Sequence, residues 1–206
     1  MKSIKKKFFL SIVFTILLYS VGANEPFVKG SKLDQATFLS LPTKKTAKST
    51  FTGPYNKNDF FHFKEALAFK ESGGNYKAIN SFGYLGKYQF GSGTLERFDI
   101  YNTQDFLQNP ELQEKAFIAL CQVNKWILRK DIRRSVGRKI NGIVITESGI
   151  LAAAHLAGAG NVKKFLRSNG DFHFEDGYGT SIEEYLYTFR GYDTSNIIKN
   201  RMPEVS

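Results

Sequence analysis

Leu112, Ala116, Leu120, Val123 and Ile127 recur at spacings of four, four, three and four residues, which sets them along one face of a helix. Asn109 is suited to cap that helix and Pro110 to open it. From Pro110 to Ile127 the helix would be about 27 Å long at ~1.5 Å per residue. A rod of that length crosses a small domain, so the rest of the chain has to pack around it. Trp126 lies near the stripe and is expected in the core. Other periodic segments agree with a helical fold. One runs from about Asp59 to Glu71 and stops at Gly73-Gly74. Thr146 can cap a helix through Ala157, with Glu147 favourably placed in its first turn, and a short helix is expected over 161–168. Ser181-Ile182-Glu183-Glu184 reads as a capping box opening a last helix to about Phe189. The expected fold is mainly α, with any strand confined to a small hairpin or irregular loop near residues 80 to 91.

The start of the chain has a different character. Lys2, Lys5, Lys6 and Lys7 precede an apolar run from Phe8 to Leu18, and Val21-Gly22-Ala23 offers a small-residue cleavage site. The run is too short for a membrane span and has the layout of a signal peptide. Residues 1–23 are therefore expected to direct export and be cleaved, leaving a periplasmic or secreted protein with no stable membrane span. Residues 24–57 are polar and aperiodic, with Pro26, Pro42 and Pro54 and the basic run Lys44 to Lys48, and are expected to form a flexible linker. The single cysteine, Cys121, permits no internal disulfide and sits in an apolar helix, where a buried inert thiol is expected. The chain carries +10; without the four leading lysines, 25 basic and 19 acidic residues leave +6. No nucleic-acid-binding motif accompanies that charge, and no metal-ligand spacing appears around His62, His155 or His173, so neither nucleic acid nor a metal or other cofactor is expected.

Glu71 is the chemical focus. It continues the helical stripe of Phe60, Phe63 and Leu67. Ionising a carboxyl group on a buried face is costly, and an acid that keeps its proton is what a general acid needs. Downstream, Gly83-Tyr84-Leu85-Gly86-Lys87-Tyr88-Gln89 combines glycines with aromatics, and Ala152 to Val162 is a small-residue helix interrupted by glycines.

Taken in order, Glu71-Ser72, the Gly-x-x-Gly-x-x-Gln stretch ending at Gln89, and residues 153–162 resemble three motifs of the lytic transglycosylases of the soluble-transglycosylase and goose-type lysozyme-like group. Glu183 followed by Tyr187 is similar to that group's closing Glu-Thr-x-x-Tyr pattern. The chain departs from the group at His155 and Leu156, where Tyr and Asn are usual, and at Lys87 and Tyr88, where Leu-Met is common. The resemblance covers about 58–192, leaving 193–206 as a C-terminal tail. It implies a lysozyme-like domain, a peptidoglycan glycan strand as partner, and Glu71 as the catalytic residue.

The implied reaction cleaves the bond between N-acetylmuramic acid and N-acetylglucosamine with one carboxyl group, leaving a 1,6-anhydro-muramoyl end. Asp59, Asp99 and Asp105 are candidates for a second carboxylate by residue type only. Tyr84, Tyr88, Gln89 and Tyr187 suit a saccharide groove, since aromatic faces stack on sugar rings and an amide can bond an N-acetyl group both ways. Ser72 could orient Glu71 or cap the helix end, and His155 could touch substrate. A lysozyme-type hydrolase and a non-catalytic glycan-binding protein on the same fold are the alternatives.

Overall fold

In a computed structural model the chain is described over residues 58–205; the expected signal peptide and linker lie outside the described residues. Asp59 begins the described helices as a cap, its carboxylate accepting from the backbone N–H of His62 at 3.0 Å. Helix α1 (Phe60–Ser72) follows and ends where Gly73 adopts a left-handed φ of 67°. Its buried face is Phe60, Phe63 and Leu67, with Ala68 beside them. Two short helices then appear that the periodicity did not predict, α2 (Ser92–Glu96) and α3 (Thr103–Gln108).

The long helix α4 (Pro110–Ser135) starts as expected, with Asn109 accepting from Leu112 N–H at 3.0 Å, and runs two turns further than its apolar stripe. Its inward face is rotated from that stripe. Gln113, Phe117, Asn124, Leu128, Asp131 and Ser135 are buried, whereas Leu112, Leu120 and Ile127 are half-buried. Two of the polar residues on this inner face, Gln113 and Asp131, have side-chain partners. Gln113 accepts from Lys87 N–H at 2.8 Å and donates to the carbonyls of Tyr76 and Phe106, each at 2.9 Å. Trp126 is not a core residue. It is half-buried, with the guanidinium groups of Arg129 and Arg201 at 4.2 and 5.2 Å from its ring.

A two-stranded antiparallel sheet, β1 (Lys139–Ile140) and β2 (Ile143–Val144), follows α4. Asn141 and Gly142 between them have φ of 48° and 81°, the pair of positive values that a two-residue hairpin requires. Strand is thus found here and not at 80–91, where only the isolated bridges Ile79 to Leu85 and Leu85 to Phe90 form within an irregular loop.

Helix α5 (Glu147–Arg167) begins with Thr146 accepting from Gly149 N–H and breaks at Gly158, whose φ of 75° and ψ of 149° are not helical. Its first arm runs antiparallel to α4. Glu147 pairs with Lys125 at 2.7 Å, and His155 lies 5.7 Å from the Phe117 ring. After the break the chain returns, and Arg167 reaches Asp131 at 2.9 Å. Helix α6 (Ile182–Thr188) opens with Ser181 accepting from Glu184 N–H and packs on α5 through Ile182, Tyr185 and Leu186. Residues 193–205 are not a separate tail. Thr194 and Ile197 are buried, and Asn200 N–H bonds the Gln122 carbonyl at 3.2 Å. Among the described residues no helix is long and apolar enough to cross a membrane.

One polar knot ties three segments together. Lys87, only 4% exposed, donates to Glu65 of α1 at 2.7 Å and to Glu114 of α4 at 2.8 Å. Glu114 also accepts from Tyr76 and Tyr88, at 2.8 and 2.9 Å, and from Lys64. Burial alone would raise the Glu114 carboxyl, but the hydrogen bonds from Lys64, Lys87, Tyr76 and Tyr88 prevail and hold it at about 2. Burial would likewise lower Lys87, and its bonds to Glu114, Glu65 and Tyr76 reverse that. With the folded carboxyl held below its unfolded value, the stabilisation is fully present above the unfolded value and is lost as pH falls through the folded one. Glu114→Gln should therefore cost about 3 kcal/mol at neutral pH. Matched urea melts should show the gap narrowing as pH falls from about 4.5 toward 2; a gap independent of pH would refute the account.

Candidate active site

The end of α1, the loop through residues 80–89, the middle of α5, the turn at 176–180 and one face of α6 enclose a groove of about 500 Å³. Glu71 lies on its wall because α1 carries its buried stripe one turn past Leu67 before Gly73 ends the helix. The Glu71 side chain is 14% exposed. Its Oε1 accepts from the Tyr185 hydroxyl at 2.7 Å and lies 4.0 Å from His155 Nε2. Burial pushes the Tyr185 phenol well above its ordinary range, and the charge of Glu71 beside it adds to the shift. Tyr185 is accordingly a permanent donor, and it fixes the rotamer of the carboxyl group.

His155 Nε2 is 2.7 Å from the Tyr88 carbonyl, which can only accept, so the ring proton belongs on Nε2. Nδ1 is buried with no partner. The ring is wedged edge-on between Phe90 and Phe117, at 5.9 and 5.7 Å. His155 thus pins the loop that delivers Gln89. That residue takes a left-handed φ of 51° and donates its amide to the Gly86 carbonyl at 2.8 Å. Gly86 has a reason to be glycine: a Cβ there would lie 2.2 Å from Gln113 Oε1, the oxygen that receives Lys87 N–H.

Of the residues singled out from sequence, Glu71, Tyr84, Gln89 and His155 meet in the groove. Ser72, Tyr88 and Tyr187 do not line it. Ser72 Oγ donates to the Lys87 carbonyl at 2.7 Å and accepts from Asn75 N–H at 3.0 Å, so it fastens the loop to the helix end. Tyr88 is fully buried, stacked 4.1 Å from Phe117 with its hydroxyl on Glu114. Its own phenol is raised well above the ordinary range by burial and by the Glu114 charge. Tyr187 is exposed on the outer face of α6 under the Arg190 guanidinium, 3.7 Å from its ring. Tyr185 takes the place expected for it. The period of α6 was the available signal, since Ile182, Tyr185, Leu186 and Phe189 share one face.

Phe82, Tyr178 and Asp176 also line the groove and were not expected. Phe82 and Tyr178 meet edge to face at 4.8 Å, and Ser81 Oγ lies 2.9 Å from the Tyr178 hydroxyl, so the two groove loops touch. Gly177 permits the approach: a Cβ there would lie 2.7 Å from the Phe82 ring. Asp176, also on the groove wall, accepts from Tyr178 N–H at 2.9 Å and Thr180 N–H at 2.7 Å. Its signal was the turn sequence Asp176-Gly177-Tyr178-Gly179, which reads as punctuation and not as a site. Asp59, Asp99 and Asp105 lie elsewhere, engaged with His62, Tyr101 and Asn102.

No protein-family model, no curated protein and no solved structure matches this chain.

Tyr185→Phe keeps the ring in the core and removes one hydrogen bond to Glu71. It should lower stability by about 0.5–1.5 kcal/mol, the net worth of a typical hydrogen bond. The same change made in a Glu71→Gln background should cost less. Equal costs in both backgrounds, measured by urea denaturation as a double-mutant cycle, would mean that the hydroxyl and the carboxyl are not coupled.

Proposed function

We propose that the protein is an exported peptidoglycan lytic transglycosylase built on a lysozyme-like helical domain, with Glu71 as its general acid and base. The observation that carries the reading is the setting of Glu71. A carboxyl group on the wall of a groove, mostly shielded from water, has one oxygen held by Tyr185 and the other left to act. Tyr84, Phe82 and Tyr178 offer aromatic faces to sugar rings, and Asn80 and Gln89 offer amides to N-acetyl groups.

In the reaction so assigned, Glu71 gives its proton to the glycosidic oxygen as the bond to the anomeric carbon of the muramoyl residue breaks. The 6-hydroxyl of that same sugar then bonds to the anomeric carbon, and its proton passes to the Glu71 carboxylate. The acid is restored, a 1,6-anhydro ring is formed, and no water is consumed. Holding donor and acceptor in one groove supplies the orientation that such an internal attack needs.

Hydrolysis is the second reading, and Asp176 favours it. A second carboxylate in the same groove could activate water or stabilise a developing cation, as paired carboxylates do in glycoside hydrolases.

Glu71→Gln should lower digestion of purified cell wall by roughly 10² to 10⁴ with the fold retained, since the amide has no proton to give. Mass spectrometry of the soluble fragments separates the two chemistries. Anhydro-muramoyl ends are expected, with Asp176→Asn leaving their proportion unchanged. Fragments bearing only reducing muramic acid ends, together with loss of activity in Asp176→Asn, would move the assignment to hydrolysis. Wild-type digestion by Glu71→Gln would remove both readings.

A further inference from the structure

Charge in the described domain is sorted by position. Residues 129–170 hold nine Lys and Arg against two acidic residues, a balance of +7, while the other described residues hold ten against fifteen, a balance of −5. Both acids of the basic stretch are engaged within the domain. Asp131 is 2% exposed and takes Arg134 at 2.5 Å and Arg167 at 2.9 Å. Glu147 is bound to Lys125 and to the Thr194 hydroxyl. The cations face outward: Lys130, Arg133, Arg134, Arg138, Lys139 and Arg167 are all exposed.

The nearest structural explanation accounts for a small part of this. Arg133 and Arg134 stand in the last turn of α4, and Lys164 and Arg167 in that of α5. Each helix C-terminus carries roughly half a negative charge, so the two together offset about one unit of the seven. The contact of Arg167 with Asp131 brings both helix ends to one place. The hairpin joins them there, with Gly137 N–H on the Ile145 carbonyl and Ile145 N–H on that of Arg138, both at 2.9 Å. Val136 and Val144 stand among these cations, 46% and 50% exposed, and Val144 is the register partner of Lys139. Of the two aromatic rings in the stretch, Phe165 is fully buried and the His155 side chain is 7% exposed on the groove side.

We propose that this basic end is a docking surface for an anionic phospholipid bilayer. Guanidinium and ammonium groups meet headgroup phosphates, and the two valines enter the boundary between headgroups and acyl chains. A single-stranded nucleic acid fits less well, because no ring within the stretch is exposed to stack on its bases, and Trp126 and Phe172 beside it are half-buried against Arg129 and Lys164. From Glu114, beneath the groove loop, to Arg134 is about 30 Å along α4 at ~1.5 Å per residue. The groove would therefore be held away from the lipid. Only His155 and Leu156 of the basic stretch reach the groove, so docking leaves it open. The proposal does not depend on the reaction assigned to Glu71.

The test is co-sedimentation of the full chain with vesicles of phosphatidylcholine alone or mixed with phosphatidylglycerol. Wild type should bind the mixed vesicles, and added salt should weaken binding. R133Q/R138Q/K139Q should bind them roughly a hundredfold less, at about fivefold for each cation lost near an anionic surface. Both chains carry the same residues 1–57, so any contribution from those cancels. V136S/V144S keeps every charge and guards against misfolding of the triple variant. It should weaken binding to mixed vesicles and leave binding to inorganic polyphosphate unchanged. Three results would overturn the proposal: wild type that ignores mixed vesicles, a folded triple variant that binds as wild type does, or wild type that prefers polyphosphate at equal phosphate concentration.

Discussion

The buried ammonium of Lys87 sets the terms for the loop that forms one side of the groove. An unpaired cation at 4% exposure would be strongly unfavourable, so its position is tolerable only where Glu65, Glu114 and the Tyr76 hydroxyl converge on it. Those three partners come from α1, α4 and the segment between α1 and the loop. The geometry that satisfies Lys87 therefore also docks the loop against both helices. Tyr88 follows into the core and stacks on Phe117, which leaves its carbonyl facing His155 and sends Gln89 into the groove. Ser72 closes the same circuit by bonding the Lys87 carbonyl from the residue after Glu71. A polar interaction in the interior thus fixes the relative positions of Glu71, His155 and Gln89.

This knot gives Lys87 and Tyr88 a physical role in the central Gly-x-x-Gly-x-x-Gln stretch. The group that the sequence resembles commonly has an apolar pair at these positions, and an apolar pair would need no carboxylate beneath it. Here Glu114 receives both side chains, while Lys64 and Tyr76 complete its remaining lone pairs. The arrangement is self-consistent, since each buried polar atom in it has a partner.

The sequence disclosed helices better than it disclosed faces. Asn109, Thr146 and Ser181 cap where their chemistry predicts, and Gly73 ends α1, because capping is a local event that neighbours in sequence decide. The inner face of α4 is rotated from its apolar stripe because buried polar residues share it with Ala116, Phe117 and Leu128. Gln113 and Asp131 are buried with partners from distant segments, Lys87 and Tyr76 for the first and Arg167 for the second, which no window of sequence contains. The hairpin has a legible signal in Asn141-Gly142, less conspicuous than the glycines and aromatics at 82–91. Glu71 was legible because its stripe is local to one helix. The period of α6 marks Tyr185 as inward-facing and the turn sequence marks Asp176, but neither signal places them at the groove, which they reach only through the return of the chain after Gly158.

That return is the step on which both ends of the domain rely. A continuous helix over 147–167 would be about 30 Å long at ~1.5 Å per residue and could serve only one end of α4. The break lets the first arm carry His155 to Phe117 and the groove, while the second brings Arg167 back to Asp131. Space does not demand glycine at the turning point, because a Cβ on Gly158 would meet nothing within 4 Å. The backbone demands it. A φ of 75° with a ψ of 149° lies in a region that essentially only glycine occupies. Any side chain there would favour regular helix or an ordinary extended bend, and either would withdraw His155 from the Tyr88 carbonyl or Arg167 from Asp131. The conformational freedom of one residue therefore couples the groove to the opposite, basic end of the molecule.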